Sequence, residues 1–233
     1  MPELMLRLNN ISKKYQNQVV LNIPDLVIKD GECVGLVGNN GAGKTTCFSL
    51  ILDLIKPTTG EITIQGHAVN RTDEWKKNTG SFLDESFLIS FLTPNEYFQF
   101  IGSLYAWQAE DLKHFLESFE DFLQDDILLN KKYIRDFSKG NQKRIGLIGS
   151  MIGHPQLLIW DEPFSNLDPS SQIRLKKLIT QKSVKQTLFI SSHDLNHIAE
   201  VCHRIIILEK GIIIQDLQSS AETLKTLENY FAV

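Results

Sequence analysis

At 233 residues, with 42% hydrophobic and 22% charged residues, the chain can bury a sizeable core as one large domain or one domain with an insertion. Its 24 basic against 28 acidic residues leave a net charge of −4, which argues against nucleic acid as a standing partner. Cys33, Cys47 and Cys202 are an odd number, widely spaced and without a C-x-x-C, which suits a reducing compartment and small buried apolar roles.

Met1 to Arg7 lacks the charged-then-apolar pattern of a signal segment. Leu4 to Leu8 alternates apolar and polar residues as a half-buried strand does, and Val19 to Ile28 reads as a second strand broken by Pro24. Ile11 to Gln18 between them reads as a polar loop with one aromatic, Tyr15, which either stacks on an adenine ring or simply ends a strand. Glu32 to Val37 reads as a buried strand, and Cys47 to Ile55 is long enough for about two helical turns. The stretch Gly38-Asn39-Asn40-Gly41-Ala42-Gly43-Lys44-Thr45-Thr46 joins them and fits the phosphate-loop pattern G-x-x-x-x-G-K-[ST] in the strand-to-helix context that gives the pattern meaning. Glycines let successive backbone N–H groups point at phosphate oxygens, and the helix N-terminus adds its positive dipole end. Lys44 would reach the β and γ phosphates, and the Thr45 hydroxyl would hold Mg²⁺. The stretch predicts a nucleoside-triphosphate site. Cys47, in the following helix, is either a buried thiol or a reactive one.

Pro57-Thr58-Thr59-Gly60 signals a turn, and Glu61 to Gly66 alternates as a strand. From Asp84 to about Ile145 the pattern turns helical, with periodicity over Glu96 to Leu104 and Asp111 to Leu123. Eight of the 13 phenylalanines crowd between Phe82, at its edge, and Phe122, a surplus that either fills a core or in part faces a partner. Ser138 is a natural N-cap for an apolar helix with Ile145, Ile148 and Ile152 on one face, and serine, Gly140 and a helix start together suit an anion. Gly146, Gly149 and Gly153 on that helix permit close packing. Leu157 to Glu162 is a buried strand ending in two carboxylates: Asp161 suits a Mg²⁺ sphere and Glu162 a general base on water. After Pro163, Ser165 to Pro169 reads as a loop and Ser170 to Ile179 as a helix. Thr187 to Ser192 is another buried strand, and it delivers His193 at its C-terminal end, where α/β sheets place ligands and a γ-phosphate sensor belongs. The apolar runs Ile205 to Leu208 and Ile212 to Ile214 are strand-sized, far short of the roughly 18 residues of a membrane span, so a membrane role would come through a partner.

Taken together and in this order, the motifs resemble those of the ATP-binding subunit of an ABC transporter, over essentially the whole chain. Gly38 to Thr46 is similar to the family's phosphate loop, and Tyr15 stands in the place of its adenine-stacking aromatic. Phe137-Ser138-Lys139-Gly140-Asn141-Gln142 looks like the ABC signature in the style of exporters, and Ser165 to Asp168 resembles the dimer-contact loop. Leu157 to Glu162 resembles the second nucleotide motif with its catalytic glutamate, and His193 the switch histidine. The resemblance implies a mixed α/β phosphate-loop NTPase core (1–83 and 146–233) with an N-terminal antiparallel β portion and an inserted helical subdomain (84–145). It implies ATP and Mg²⁺ as ligands and a head-to-tail dimer in which Ser138 and Gly140 of one copy cap nucleotide on the other. It also implies an integral membrane partner docking near Phe87 to Phe91, a cytoplasmic location on the inner face of the cell membrane, and export. The Leu227 to Phe231 ending is similar to that of small exporter ATPases. The alternative is an ABC-type ATPase acting on a non-membrane partner. Asp84 stands where the family has a glutamine or glutamate that touches Mg²⁺ and water, so the resemblance implies a metal and nucleotide contact for it; it departs in being shorter and charged, and neighbouring Glu85 is the alternative. Gly146 and Gly149 also stand where the family mostly has larger residues.

Overall fold

A computed structural model of the chain describes residues 4–182 and 186–220. The 227–231 ending therefore lies outside the described residues. The fold opens with a long antiparallel hairpin of β1 (Leu4–Tyr15) and β2 (Gln18–Lys29). Ile11 to Tyr15 is thus strand and not loop. Its ladder continues through Ser12↔Asn22 to Tyr15↔Gln18, where backbone pairing needs no apolar side chains and the tip from Lys14 to Val19 is exposed. Gln16, at φ 53°, turns the hairpin.

Next come the wholly buried β3 (Cys33–Val37), α1 (Lys44–Ile51), β4 (Thr59–Ile64), β5 (His67–Ala68) and β6 (Thr79–Phe82). α1 stops at Ile51, short of Ile55, where Asp53 at φ 54° leaves the helical region. The helices α2 (Pro94–Leu104), α3 (Ala109–Glu117), α4 (Glu120–Leu123), α5 (Asp125–Leu128) and α6 (Lys139–Gly149) follow. Then come β7 (Leu157–Trp160), α7 (Pro169–Lys182), β8 (Thr187–Ser192), α8 (Leu195–Val201), β9 (Arg204–Glu209) and β10 (Ile212–Gln218). The periodic stretch 111–123 is two helices, because Ser118 Oγ donates to the Phe115 carbonyl at 2.7 Å and Phe119 turns into the core.

Among the described residues the ten strands form one mixed sheet in the order β5-β4-β1-β2-β10-β9-β3-β8-β7-β6. The β9-β3-β8-β7-β6 half is parallel, and the β5-β4-β1-β2 half is antiparallel. Because β3, β8 and β7 are parallel neighbours, the residues just past their C-terminal ends, Gly38, His193 and Asp161, emerge along one edge. One apolar cluster, including Leu6, Phe48 and Phe189, joins the antiparallel strands and α1 to one face of the parallel strands; a second gathers the other helices against the opposite face of the parallel half.

The structure explains the glycines of α6. A Cβ on Gly146 would lie 2.1 Å from the Phe82 ring, one on Gly149 2.7 Å from Tyr97, and one on Gly153, just past α6, 2.3 Å from Tyr105. Aromatic rings occupy the space that larger residues on the helix would take. The phenylalanines divide: Phe82, Phe98, Phe115, Phe119 and Phe122 are core, whereas Phe87 and Phe91 are more than 60% exposed and Phe100 is exposed as well.

Candidate active site

The loop after β3 is braced from within. Ala42 N donates to the Asn39 carbonyl at 3.0 Å, and the buried Lys44 folds its Nζ back onto the Gly38 carbonyl at 2.6 Å. The β9–β10 turn supports it from outside, with Gly211 N on the Ala42 carbonyl at 2.8 Å. Gly43, the N-cap of α1, sits at φ 107°, and no side chain caps the helix. The first N–H bonded inside the helix is that of Cys47, onto the Gly43 carbonyl at 2.9 Å, so those of Lys44, Thr45 and Thr46 are the orphans of a helix start. Asn39, Asn40 and Gly41 are exposed, and at Gly41, φ 83°, nothing lies within 4 Å of where a Cβ would be. This is a cradle of aligned N–H donors open to solvent, and it fits an anion of phosphate size.

Four side chains converge beside it. Thr45 Oγ1 donates to Asp161 Oδ2 at 2.5 Å, so a hydroxyl and a carboxylate present hard oxygens to one point, a donor set that fits Mg²⁺ alongside phosphate oxygens. Asp161 is buried, and burial holds its carboxyl above the usual carboxylate range against the hydrogen bonds from Ser191 and Thr45. Glu162 Oε1 stands 3.2 Å from Lys44 Nζ, and Oε2 stands 2.8 Å from His193 Nδ1. An ionised carboxylate only accepts, which puts a proton on Nδ1. Glu162 has φ 47°, and its N–H donates to Ser191 Oγ at 2.9 Å. Cys47 is fully buried and its thiol is pushed up to about 12, first by burial and then by Asp161, which makes it inert.

The other expected residues stand apart from this cluster. Ser138 caps α6, its Oγ accepting from Asn141 N at 3.3 Å, and a Cβ on Gly140 would come within 2.7 Å of the Asn166 carbonyl. Asp168 starts α7, accepting from Ser170 Oγ and Ser171 Oγ at 2.6 Å each, and these bonds hold its carboxyl well below the usual range. Tyr15 is half exposed with Lys13 Nζ 4.9 Å over its ring, on the hairpin whose second strand brings Val20 and Leu21 against Gly43. Asp84 is committed to its own turn: Oδ1 accepts from Ser86 N at 2.6 Å, which lowers its pKa, and no bond joins it to Thr45 or Asp161 among the described residues. Neighbouring Glu85 directs its carboxylate to Lys143 at 3.5 Å. Two residues of the site carried no sequence signal. Ser191, in an apolar strand, bridges Asp161 and the Glu162 N–H. Lys143, buried on α6, reaches the Glu162 carbonyl at 2.8 Å.

The family model described as ABC transporter matches residues 21–165. An ABC transporter ATP-binding protein of Nostoc sp. is 31% identical over 204 residues, 86% of this chain and 61% of its own length. The chain thus spans about three fifths of that relative. The ABC transporter ATP-binding protein NatA of Bacillus subtilis is 31% identical over 217 residues, 90% of this chain and 88% of its own. Among solved structures, the dimeric structure of MJ0796, a bacterial ABC transporter cassette, superposes with a TM-score of 0.82 at 25% identity, covering 93% of this chain and 100% of that one.

Proposed function

The chain belongs to the ABC transporter family, and from that premise we propose that it binds and hydrolyses ATP to power transport through a separate membrane subunit. The observation that carries the reading is the meeting of Thr45, Asp161, Lys44, Glu162 and His193 beside an uncapped helix N-terminus. The N–H groups of α1 and the Lys44 ammonium hold the phosphate tail, and Thr45 with Asp161 would hold Mg²⁺, which when bound supplies charge neutralisation at the phosphate oxygens. Lys44 then transfers from Glu162 to phosphate, freeing the Glu162 carboxylate to take a proton from the attacking water. His193, hydrogen-bonded through Nδ1, is left with Nε2 to meet the γ-phosphate. Tyr15 stacks on adenine.

The same reading makes 84–145 an inserted helical subdomain between core segments 1–83 and 146–233, although α6 runs unbroken across the second boundary. It pairs two copies head to tail, as a cassette described as dimeric supports, with Ser138, Gly140 and Asp168 facing the partner's nucleotide. We assign the membrane subunit to a separate chain and place this one peripherally on the cytoplasmic face; no helix among the described residues is long and apolar enough to cross a membrane. Its docking place is a groove of about 290 Å³ lined by Leu52, Leu54, Trp75, Phe82, Phe87 and Tyr97, with exposed Phe91 nearby in sequence. The direction we assign is export, on the style of the Phe137 to Gln142 signature.

Phosphate release tests the reading. Wild type should hydrolyse ATP with Mg²⁺, while Glu162→Gln should be slower by about 10²–10⁴ and accumulate as an ATP-bound dimer on size exclusion. Turnover near wild type in that variant would sink the assignment. Affinity capture from detergent-solubilised membranes of the native host should bring down a stoichiometric multi-span protein; capture of ribosomes or nucleic acid would remove the transport role and leave the ATPase.

A further inference from the structure

Lys143 takes no part in the mechanism above, yet its ammonium is buried, 4% exposed, and reaches from α6 to two other segments. Nζ donates to the Glu162 carbonyl at 2.8 Å and to Ser165 Oγ at 2.5 Å, and stands 3.5 Å from Glu85 Oε1. Ser165 Oγ donates in turn to the same Glu162 carbonyl at 2.9 Å. Glu162 occupies the left-handed region at φ 47°, which is strained for a non-glycine residue and persists only where its surroundings over-determine it. Its N–H is held from β8 by Ser191 and its C=O from α6 by Lys143, so the backbone is clamped on both sides of the Cα that carries the carboxylate. At 3.5 Å the Glu85 contact is an ion pair, and Glu85 Oε1, buried, accepts no hydrogen bond from the described residues. Its charge offsets that of an ammonium that burial otherwise disfavours.

We propose that Lys143 is a positioning residue for ATP hydrolysis: balanced by Glu85, it locks the Glu162 peptide so that the carboxylate faces the attacking water. The proposal rests on Glu162 being the general base. A loosened peptide would leave the phosphate cradle untouched, so ATP would bind normally and the proton transfer would be misaligned; a misplacement of about 1 Å costs roughly 10²-fold in rate.

The test compares full-length wild type with Lys143→Met and with Lys143→Met/Glu85→Leu, reading kcat, KM for MgATP and melting temperature. Methionine keeps the length of the stem and removes the donors. In the single variant kcat is expected to fall about 10²-fold with KM within twofold. Its melting temperature should also fall, because Glu85 is left buried without its counter-charge. The double variant removes both charges, so its melting temperature should recover while kcat stays low, since the Glu162 carbonyl still lacks Nζ. Recovery of kcat together with melting temperature would make the ion pair merely structural and overturn the proposal. So would wild-type kcat in the single variant, or a loss confined to KM. If Lys143→Met does not fold, the double variant carries the comparison by itself. Absence of phosphate release from wild type, or full turnover in Glu162→Gln, would instead remove the reading beneath the proposal.

Discussion

Two helices begin at loops suited to anions, and they begin differently. α1 starts from Gly43 with no side-chain cap, so the N–H groups of its first turn are free for a ligand. α6 starts from Ser138, whose hydroxyl already accepts from Asn141 N at 3.3 Å. That distance is slightly beyond the usual range for N–H···O, so the hydroxyl can turn to a phosphate oxygen at small cost when one arrives. In the proposed dimer the difference has a use. The first terminus holds nucleotide within one copy, and the second engages only when nucleotide and a second copy are both present.

The largest expected effect breaks the α1 side. Lys44→Ala removes a buried ammonium from the cradle, and hydrogen bonds to charged groups contribute about 1.5–3 kcal/mol, so ATP affinity should fall roughly 10–200-fold. Titration with a fluorescent ATP analogue measures it. Unchanged affinity would mean that the phosphates lie elsewhere and that α1 is no receptor.

The α6 side breaks most strongly away from its N-terminus. Gly146→Ala drives a Cβ to within 2.1 Å of the Phe82 ring, and such overpacking costs about 1–3 kcal/mol, read by chemical denaturation. A variant as stable as wild type would show that Phe82 can move aside. Ser138→Ala should cost less, about 1 kcal/mol for a lost cap, and should weaken ATP-dependent dimerisation on size exclusion while leaving single-copy ATP affinity intact. If ATP affinity of the single copy fell as well, the two termini would not be divided as proposed.

The same contrast shows what was legible in the sequence. The phosphate loop, β7 and β8 could be read directly, because holding phosphate and metal demands particular residue types within a few positions of a buried strand. Residues whose roles arise across elements could not. Ser191 looks like any small residue in an apolar strand, and Lys143 like a solvated charge on a helix, until β7 is folded between them. The hairpin at Ile11 to Gln18 was obscured because backbone pairing, not side-chain pattern, extends it into solvent. The Ser118 break interrupts a run whose apolar spacing stays helical, since the local hydroxyl-to-carbonyl bond leaves no trace in periodicity. Asp84 stands at the metal point in the family's pattern, and the sequence does not show that its carboxylate accepts from Ser86 N, a local bond that short acidic side chains readily make.

The smallest effects separate the two aspartates that bracket the 162–167 loop, one behind α1 and one at the start of α7. Burial holds Asp161 above the usual carboxylate range, and hydroxyl and N–H donors hold Asp168 below it, so their contributions to stability carry opposite signs. For Asp168 the folded form has the lower pKa. Its contribution is present above the ordinary carboxylate value and is lost as pH falls through the folded one. For Asp161 the folded form has the higher pKa, so as pH rises through the window just above the ordinary value the unfolded chain ionises first and stability declines. At pH 7 and without nucleotide, Asp161→Asn should therefore melt a few degrees higher than wild type, on the scale of about 2–4 °C per kcal/mol for a chain of this size. Asp168→Asn should melt slightly lower, by less because the group is exposed and asparagine caps nearly as well. Differential scanning calorimetry at pH 7 and pH 3 reads both, and the Asp168→Asn deficit should shrink at the lower pH. Added MgATP should raise the wild-type melting temperature and leave that of Asp161→Asn behind. If Asp161→Asn melted lower than wild type without nucleotide, the bonds to Thr45 and Ser191 would outweigh the cost of burial, and the carboxylate would be a structural cap like Asp168 and not a charge held ready for a cation.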